Sequence, residues 1–132
     1  MIEPYTYEAD LVRVIDGDTV VLTLHKMFSY DIDFGFYIKE NLTSEKSTTM
    51  HFRLLGINTP EITGVNEEER AKGLAAKAEL ERLLKLGEIT ANTTKPDKYG
   101  RWLVTIFVKT IDAVINVNDE LVKTGFAKVY NV

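Results

Sequence analysis

The chain has 132 residues, of which 45% are hydrophobic and 27% charged, the balance of an ordinary globular protein that buries its own core. It contains no cysteine, which excludes disulfide frameworks and thiolate metal sites, and its formal net charge of −4 argues against binding nucleic acid through overall charge alone. No apolar run approaches the roughly 18 residues of a membrane-spanning helix, so no membrane partner is expected. The N-terminus lacks the features of a signal peptide, which indicates a cytoplasmic protein if the chain is complete.

The first half of the chain is predicted to form β-strands. Residues 7–15 and 19–25 flank the turn sequence Asp-Gly-Asp, a combination typical of a hairpin. The long segment 26–49 follows. Its first part alternates between apolar and polar residues and could form another hairpin, whereas 39–49 is polar and is predicted to be a loop. Residues 50–55 again resemble a strand.

The middle of the chain is predicted to be one helix. Asn66 can cap its N-terminus, and the first turn after it is the acidic run 67–69, which suits the helix dipole. Gly87 is a natural stop. The apolar face of this helix is predicted to include Ala71, Leu74, Ala75 and Ala78. Leu80, Leu83 and Leu84 are predicted to broaden the apolar surface toward its far end.

The remainder of the chain is predicted to contain two strands, a short helix and an extended end. The strands are expected at 89–94 and 101–108, on either side of a Lys-Pro-Asp-Lys-Tyr-Gly turn. Asn118 is expected to cap a helix over 119–124, and 126–130 is expected to be extended.

Several short strands around one long helix predict a mainly β fold with helices (α+β). The order fits an OB-fold, a five-stranded Greek-key β-barrel with a helix between strands 3 and 4. We therefore expect a single domain over 1–132, with a long hairpin or loop insertion at about 26–49.

Three polar clusters lie where predicted strands end. They are Asp-Gly-Asp-Thr at 16–19, Arg-Leu-Leu-Gly-Ile-Asn-Thr-Pro-Glu at 53–61 and Asp-Lys-Tyr-Gly-Arg at 97–101. Taken singly, each is explained as an ordinary turn. Together they place carboxylates and arginines on loops held by a rigid scaffold. Phosphodiester hydrolysis needs such groups: oxygen ligands for a hard cation, a carboxylate base, and guanidinium donors for the developing charge.

These clusters, followed by Val-Asn-Asp-Glu-Leu-Val-Lys-Thr-Gly-Phe-Ala-Lys-Val at 117–129, resemble the staphylococcal nuclease (thermonuclease-like) family. The order is the same, and the helix falls between the second and third clusters as it does in that family. The resemblance extends from about residue 8 to 129, apart from 26–49. It implies a calcium-dependent nuclease, a phosphodiesterase that acts on single-stranded or locally open DNA or RNA.

The resemblance also implies a metal site. Asp18 and the backbone carbonyl of Thr59 match metal ligands of the family. Asn58 matches a position where the family has an aspartate, and its amide oxygen can still ligate calcium, with lower affinity. Asp16 either compensates from an outer shell or is only a turn residue.

The catalytic and nucleic-acid-binding residues follow in the same way. Arg53 and Arg101 match the arginines that hold the phosphate and stabilise the transition state. Glu61 matches the glutamate that acts as general base or orients water. Tyr99 matches a tyrosine beside the nucleotide, and Lys98 is assigned with it to nucleic-acid binding.

A module of this fold that is catalytically weak or inactive, and that binds nucleic acid or protein, is the alternative. Such modules typically lack the arginines or the glutamate, which this chain retains, so the enzyme is favoured. Near the C-terminus, Tyr130 is the one candidate for a tyrosine facing the substrate. His25 and His51 have no ligand spacing and are interpreted as structural or surface residues.

Overall fold

The computed structural model describes residues 5–96 and 100–130. Within these ranges the chain forms a mostly β structure with two helices. In chain order the elements are β1 (Thr6–Asp16), β2 (Thr19–Gly35), β3 (Ile38–Leu54), β4 (Ile57–Asn58), α1 (Glu67–Leu84), β5 (Glu88–Thr94), β6 (Trp102–Lys109), β7 (Val114–Asn116), α2 (Val117–Lys123) and β8 (Lys128–Val129). Neither helix is long and apolar enough to cross a membrane.

Five of the strands close into a barrel. Their order is β3-β2-β1-β5-β6, and a parallel pairing of β3 with β6, through Phe52↔Trp102, Arg53↔Leu103 and Leu54↔Val104, completes the ring. Closure removes the two free edges that an open sheet of these strands would have. Helix α1 connects the third and fourth barrel strands. The predicted OB-fold is therefore confirmed, including the position of its helix.

The core lies inside this barrel and beneath α1. Leu22, Phe52, Leu54, Leu80, Leu83, Ile106 and Leu121 are the largest of its buried side chains. Burial of each contributes about 1.5–3 kcal/mol. The predicted helix face is wrong for Ala71, Leu74, Ala75 and Ala78, all of which are exposed, Leu74 to 42%. The helix turns Gly73 and Ala76 toward the barrel instead, whereas the predicted Leu80, Leu83 and Leu84 are buried there as expected.

The predicted start of α1 is confirmed, since the Asn66 side chain accepts a hydrogen bond of 2.8 Å from Glu69 N. The predicted stop is wrong. The helix ends at Leu84, before Gly87 is reached. Gly87 has a different role, because a Cβ there would lie 2.0 Å from the backbone oxygen of Lys109 at the end of β6.

Residues 26–47 form a two-stranded extension of β2 and β3, called the arm below. The two strands pair with each other from Thr19↔Arg53 out to Gly35↔Ile38. The loop predicted at 39–49 is wrong, because β3 runs through that segment and its backbone is paired with β2. Polar composition did not prevent a strand there, since each residue from Lys39 to Thr49 has a cross-strand partner on β2.

His25 links three strands at the base of the arm. Its Nε2 lies 2.7 Å from Asp10 Oδ2 on β1, and its Nδ1 lies 3.0 Å from Glu45 Oε1 on β3. The hydrogen bond to Asp10, more than any other contact, raises the pKa of His25 above its ordinary value. This placement agrees with the structural role predicted for the histidine.

The helix cap predicted at Asn118 is wrong. Asn116 caps α2 by accepting a hydrogen bond from Asp119 N at 3.1 Å. Asn118 lies inside the helix, only 3% exposed. Its Oδ1 accepts from Ile106 N at 3.1 Å, and its Nδ2 donates to the carbonyls of Leu55 and Val104, both at 3.0 Å. A single amide thus fixes α2 to β6 and to the segment that follows β3.

Asn118→Ala should lower the free energy of unfolding by about 2–5 kcal/mol, because Ile106 N and the Leu55 carbonyl lose their Asn118 partner at about 1–3 kcal/mol each, whereas the Val104 carbonyl keeps its bond from Leu55 N. Asn116→Ala is the matched control, since it removes only an N-cap and should cost about 1 kcal/mol. Urea unfolding followed by circular dichroism measures both. Equal losses for the two variants would contradict the bridging role.

Candidate active site

The turn between β1 and β2 is pressed against the loop that follows β4. A Cβ on Gly17 would lie 2.7 Å from both Ala76 Cβ and Thr59 Oγ1, so only glycine allows this approach. The turn is also fastened locally, because Asp18 N donates to Asp16 Oδ1 at 3.1 Å. The Asp-Gly-Asp turn predicted from the sequence is therefore present, and its glycine sets how closely the loop after β4 approaches.

Asp18 is the buried acid of this turn, 8% exposed. Its Oδ2 accepts a hydrogen bond of 3.1 Å from Thr59 N, and its Oδ1 accepts one of 3.2 Å from Thr19 Oγ1. Its backbone oxygen accepts from Leu54 N at 2.8 Å, at the end of β3. Asp18 thereby holds the Asn-Thr-Pro-Glu loop to the barrel rim.

Arg53 lies beside Asp18 and is 6% exposed. Its Nη2 donates to Asn58 Oδ1 at 3.1 Å and lies 3.7 Å from Asp18 Oδ2. The centre of its guanidinium group lies 5.0 Å from the centroid of the Tyr130 ring, which is within the range of a cation–π contact. Three separate segments of the chain therefore hold this guanidinium in one orientation.

Asp16 brings a second carboxyl group close to Asp18. Burial and the neighbouring Asp18 carboxylate together raise the pKa of Asp16 to about 6. Two carboxyl groups close together in a partly buried site disfavour double ionisation. The Asp18 carboxylate lies beside Arg53, whereas the raised pKa of Asp16 makes its carboxyl group easier to protonate than an ordinary aspartate.

Glu61 is exposed and lines a cleft of about 740 Å³ between the loop and α1. Asn58 and Thr59 lie on the same wall, whereas Glu68 and Lys72 of α1 lie on the other. The structure thus brings Asp18, Arg53, Asn58 and Thr59 into direct contact. Asn58 and Thr59 also line the cleft that contains Glu61, whereas Asp18 and Arg53 do not line it.

Arg101 lies at the start of β6, two residues before Leu103, which pairs with Arg53 in the parallel β3–β6 ladder. Its side chain is exposed. The ladder therefore places the two arginines on adjacent strands at the same end of the barrel. Lys98 and Tyr99, predicted to bind nucleic acid, lie outside the described residues.

Tyr130 owes its place beside Arg53 to a small second sheet. Strands β4 and β8 pair through Ile57↔Val129 and Asn58↔Lys128, and Tyr130 N then donates to the carbonyl of Gly56 at 2.8 Å. The extended segment predicted at the end of the chain is confirmed over these residues. Sequence reasoning singled out Tyr130 but gave no sign of its contact with Arg53, because 77 positions separate the two along the chain.

The chemistry of the candidate metal ligands fits calcium. Asp18 supplies a carboxylate, Asn58 an amide oxygen and Thr59 a backbone carbonyl, all of them the hard oxygen ligands that calcium prefers. Thr59 Oγ1 is also buried without a hydrogen-bond partner among the residues described. The negative charge of this ligand set is low, however. Residues 5–96 and 100–130 contain no cluster of three acidic or histidine side chains arranged to hold a metal.

The profile of the family described as "Staphylococcal nuclease homologue" matches residues 51–132, more than half of the chain. The chain belongs to this family. The match includes Arg53, Asn58, Thr59, Glu61 and Arg101, and it begins after the arm and after Asp18.

The chain is also similar to two curated proteins, one of them an endonuclease. An uncharacterized protein of Methanocaldococcus jannaschii is 31% identical over 144 residues, covering 94% of this chain and 59% of its own length. The endonuclease Htp3 of Saprolegnia parasitica is 29% identical over 126 residues, covering 95% of this chain and 56% of its own length. The chain therefore spans less than two thirds of the length of either relative.

A solved structure supports the fold. The extended Tudor domain TD3 of mouse TDRD1, determined in complex with a MILI peptide containing dimethylarginine, superposes with a TM-score of 0.61. The alignment covers 99% of this chain and 96% of that one at 8% identity. At this identity the likeness shows a common fold.

Gly73 lets α1 approach the loop that carries Glu61. A Cβ at this position would lie 2.6 Å from the backbone oxygen of Glu61 and 2.8 Å from that of Pro60. Gly73→Ala should gain about 1 kcal/mol in helix propensity but lose about 2–3 kcal/mol to overpacking, because the atoms it meets belong to backbone, for a net loss of about 1–2 kcal/mol. Urea unfolding measures the change, and Lys72→Ala, on the exposed side, should stay within about 0.5 kcal/mol of the parent. A Gly73→Ala protein as stable as the parent would contradict this packing role.

Proposed function

We propose that this domain is a nuclease that hydrolyses phosphodiester bonds of DNA or RNA with the aid of calcium. The observation that carries the proposal is the fixed position of Arg53, whose guanidinium contacts Asp18, Asn58 and Tyr130. A preorganised guanidinium stabilises the charge that develops on a phosphate in the transition state without having to reorient. The family assignment and the likeness to an endonuclease support the same activity.

In this proposal the two arginines share the phosphate. Arg53 approaches from its buried position beside Asp18, and Arg101 approaches from its exposed position just before β6. A guanidinium can present two parallel N–H donors to phosphate oxygens, which lysine cannot. The substrate is single-stranded or locally open nucleic acid, whose backbone can reach a cleft at the barrel rim, and Lys98 and Tyr99 are assigned to bind it.

Glu61 is proposed to accept the proton of the attacking water or to orient that water. It fits this role because it is exposed and lines the cleft, so that both water and substrate have access to it. General-base catalysis typically contributes about 10²–10⁴-fold in rate. Its location on the loop held by Asp18 and supported at Gly73 keeps its backbone position fixed.

Calcium would be held by Asp18, Asn58 and the Thr59 carbonyl. When bound, it would supply a positive charge that polarises the phosphate. Asn58 provides a dipole where the family has a full charge, and its oxygen already accepts a hydrogen bond from Arg53. Weak calcium affinity is therefore part of the proposal.

Glu61→Gln should lower the rate of cleavage of single-stranded DNA in calcium by about 10²–10⁴-fold, because the amide cannot accept the proton. Glu68→Gln is the matched control, since Glu68 is exposed on the opposite wall of the same cleft and should leave the rate nearly unchanged. Circular dichroism verifies that both variants fold. If Glu61→Gln retains full activity that a chelator abolishes, Glu61 is not the base.

Asn58→Asp should tighten calcium binding roughly ten-fold, about 1.4 kcal/mol, because it adds a full negative charge at the proposed site. Repulsion from Asp18 in the metal-free protein limits the gain. Asn66→Asp is the matched control: it adds the same charge to the same cleft, at the cap of α1. Isothermal titration calorimetry with calcium measures both variants. Equal effects would mean that Asn58 acts only through general electrostatics and is not a ligand.

The second candidate is a module that binds nucleic acid or protein and cleaves little or nothing. One observation favours it, the hydrogen bond from Arg53 to Asn58. This bond joins the proposed catalytic arginine to a proposed metal ligand, so that each occupies the other. This module would bind single-stranded DNA in calcium without cleaving it, and Glu61→Gln would leave that binding unchanged. Cleavage by the parent protein that depends on both Glu61 and calcium excludes this alternative.

A further inference from the structure

The arm, residues 26–47, extends beyond the barrel without support. β1 follows β2 only as far as the pair Glu8↔His25, and among the described residues the two strands of the arm then pair only with each other. Ten residues of β2, at about 3.3 Å each, carry it roughly 30 Å outward. A two-stranded ribbon with both edges open is marginally stable in water unless one of its faces is covered.

The arm has one apolar face and one polar face. Even-numbered residues of β2 continue the inward side of the barrel, where Val20, Leu22 and Leu24 are buried. By strand alternation and the β2–β3 register, the apolar face carries Phe28, Tyr30, Ile32, Phe34, Ile38 and Leu42. The opposite face is mainly polar and includes a hydrogen bond of 3.0 Å from Asn41 Nδ2 to Asp31 Oδ1.

The apolar face is exposed and already ordered. Phe28 is 40% exposed, Tyr30 48% and Phe34 62%. The rings of Phe28 and Tyr30 stack with centroids 6.1 Å apart and an interplanar angle of 16°. Aromatic side chains bury about 150–250 Å² each, so the face offers several hundred Å², of the order of the ~800 Å² per partner in a standard protein interface.

The charge of the arm disfavours a polyanionic partner. It contains three lysines against four carboxylates, a net charge of 3 − 4 = −1. Nucleic acids and anionic membranes are bound mainly through excess positive charge. The positions of these charges on the arm say more about its partner than their sum does.

The charged residues of the apolar face lie toward its two ends, with lysines at the base and a glutamate toward the tip. At the base, Lys26 lies directly opposite Lys46, an unfavourable pair of like charges. Toward the tip, Glu40 lies opposite Ile32. The face therefore runs from positive at its base to negative near its tip, with the stacked aromatic rings between.

We propose that the apolar arms of two copies of this chain pack face to face and antiparallel, forming a two-fold symmetric dimer. With the axis at the level of the pair Ser29↔Thr43, the Lys26↔Lys46 pair of one copy meets the Ile32↔Glu40 pair of the other. Each Glu40 then offsets one of the two positive charges of a lysine pair, and the aromatic rings of both copies meet at the centre. A two-fold interface requires such a self-complementary patch.

Tyr30→Glu should raise the dimer dissociation constant by ten-fold or more, because it places a charge at the centre of the apolar interface. Thr43→Glu is the matched control: it adds the same charge at a neighbouring level of the arm, on the polar face, and should leave dimerisation unchanged. Sedimentation velocity over a concentration series measures the constant for each protein. Thermal unfolding verifies that both variants keep the barrel, which the arm does not help to fill.

A charge exchange tests the antiparallel arrangement. Lys26→Glu combined with Lys46→Glu should weaken the dimer ten-fold or more, and adding Glu40→Lys to that double variant should restore it. A parent protein that remains monomeric at hundreds of micromolar overturns the proposal, as does equal weakening by Tyr30→Glu and Thr43→Glu. Failure of the triple variant to recover overturns the antiparallel pairing. A monomer whose arm instead binds single-stranded oligonucleotide, with the binding lost in Tyr30→Glu, overturns the dimer and assigns the face to nucleic acid.

Discussion

A buried guanidinium organises the functional end of this barrel. Removing Arg53 from water costs several kcal/mol unless its charge is paired and hydrogen-bonded. Asp18, Asn58 and the Tyr130 ring meet that requirement, and they come from the β1–β2 turn, from β4 and from the end of the chain. The same contacts that make burial of the charge tolerable therefore fix the positions of the candidate metal ligands. Loss of any one of them would loosen segments that are distant in sequence.

Close backbone approaches complete this arrangement. Gly17 lets the β1–β2 turn lie against Thr59, and Gly73 lets α1 lie against the backbone of Glu61. Asn118 fixes the segment just after β3 to α2. The loop that carries Asn58 and Glu61 is thus supported on several sides by rigid elements, which is how irregular backbone can hold reactive groups in a defined geometry.

Local errors in the sequence predictions have a common physical cause. Asn118 was assigned as a helix cap because asparagine favours caps, whereas its amide is used to satisfy buried backbone groups of other elements. Polar residues 39–49 were assigned to a loop, whereas pairing with β2 makes them a strand. In each case a contact between residues distant in the chain outweighed a weak local preference.

The sequence by itself determined the order of the barrel strands and the two helices, the OB-fold class, the cap of α1 at Asn66 and the short list of polar residues at strand ends. These follow from local periodicity, turn chemistry and the resemblance of a few segments to one family. Tertiary structure alone decided that Arg53 bonds to Asn58, that Tyr130 covers it and that Asp16 has a raised pKa. It also decided that the arm extends with one apolar face exposed. Each of these depends on distances between segments many residues apart, and burial, pairing and charge coupling arise only when the folded chain brings those segments together.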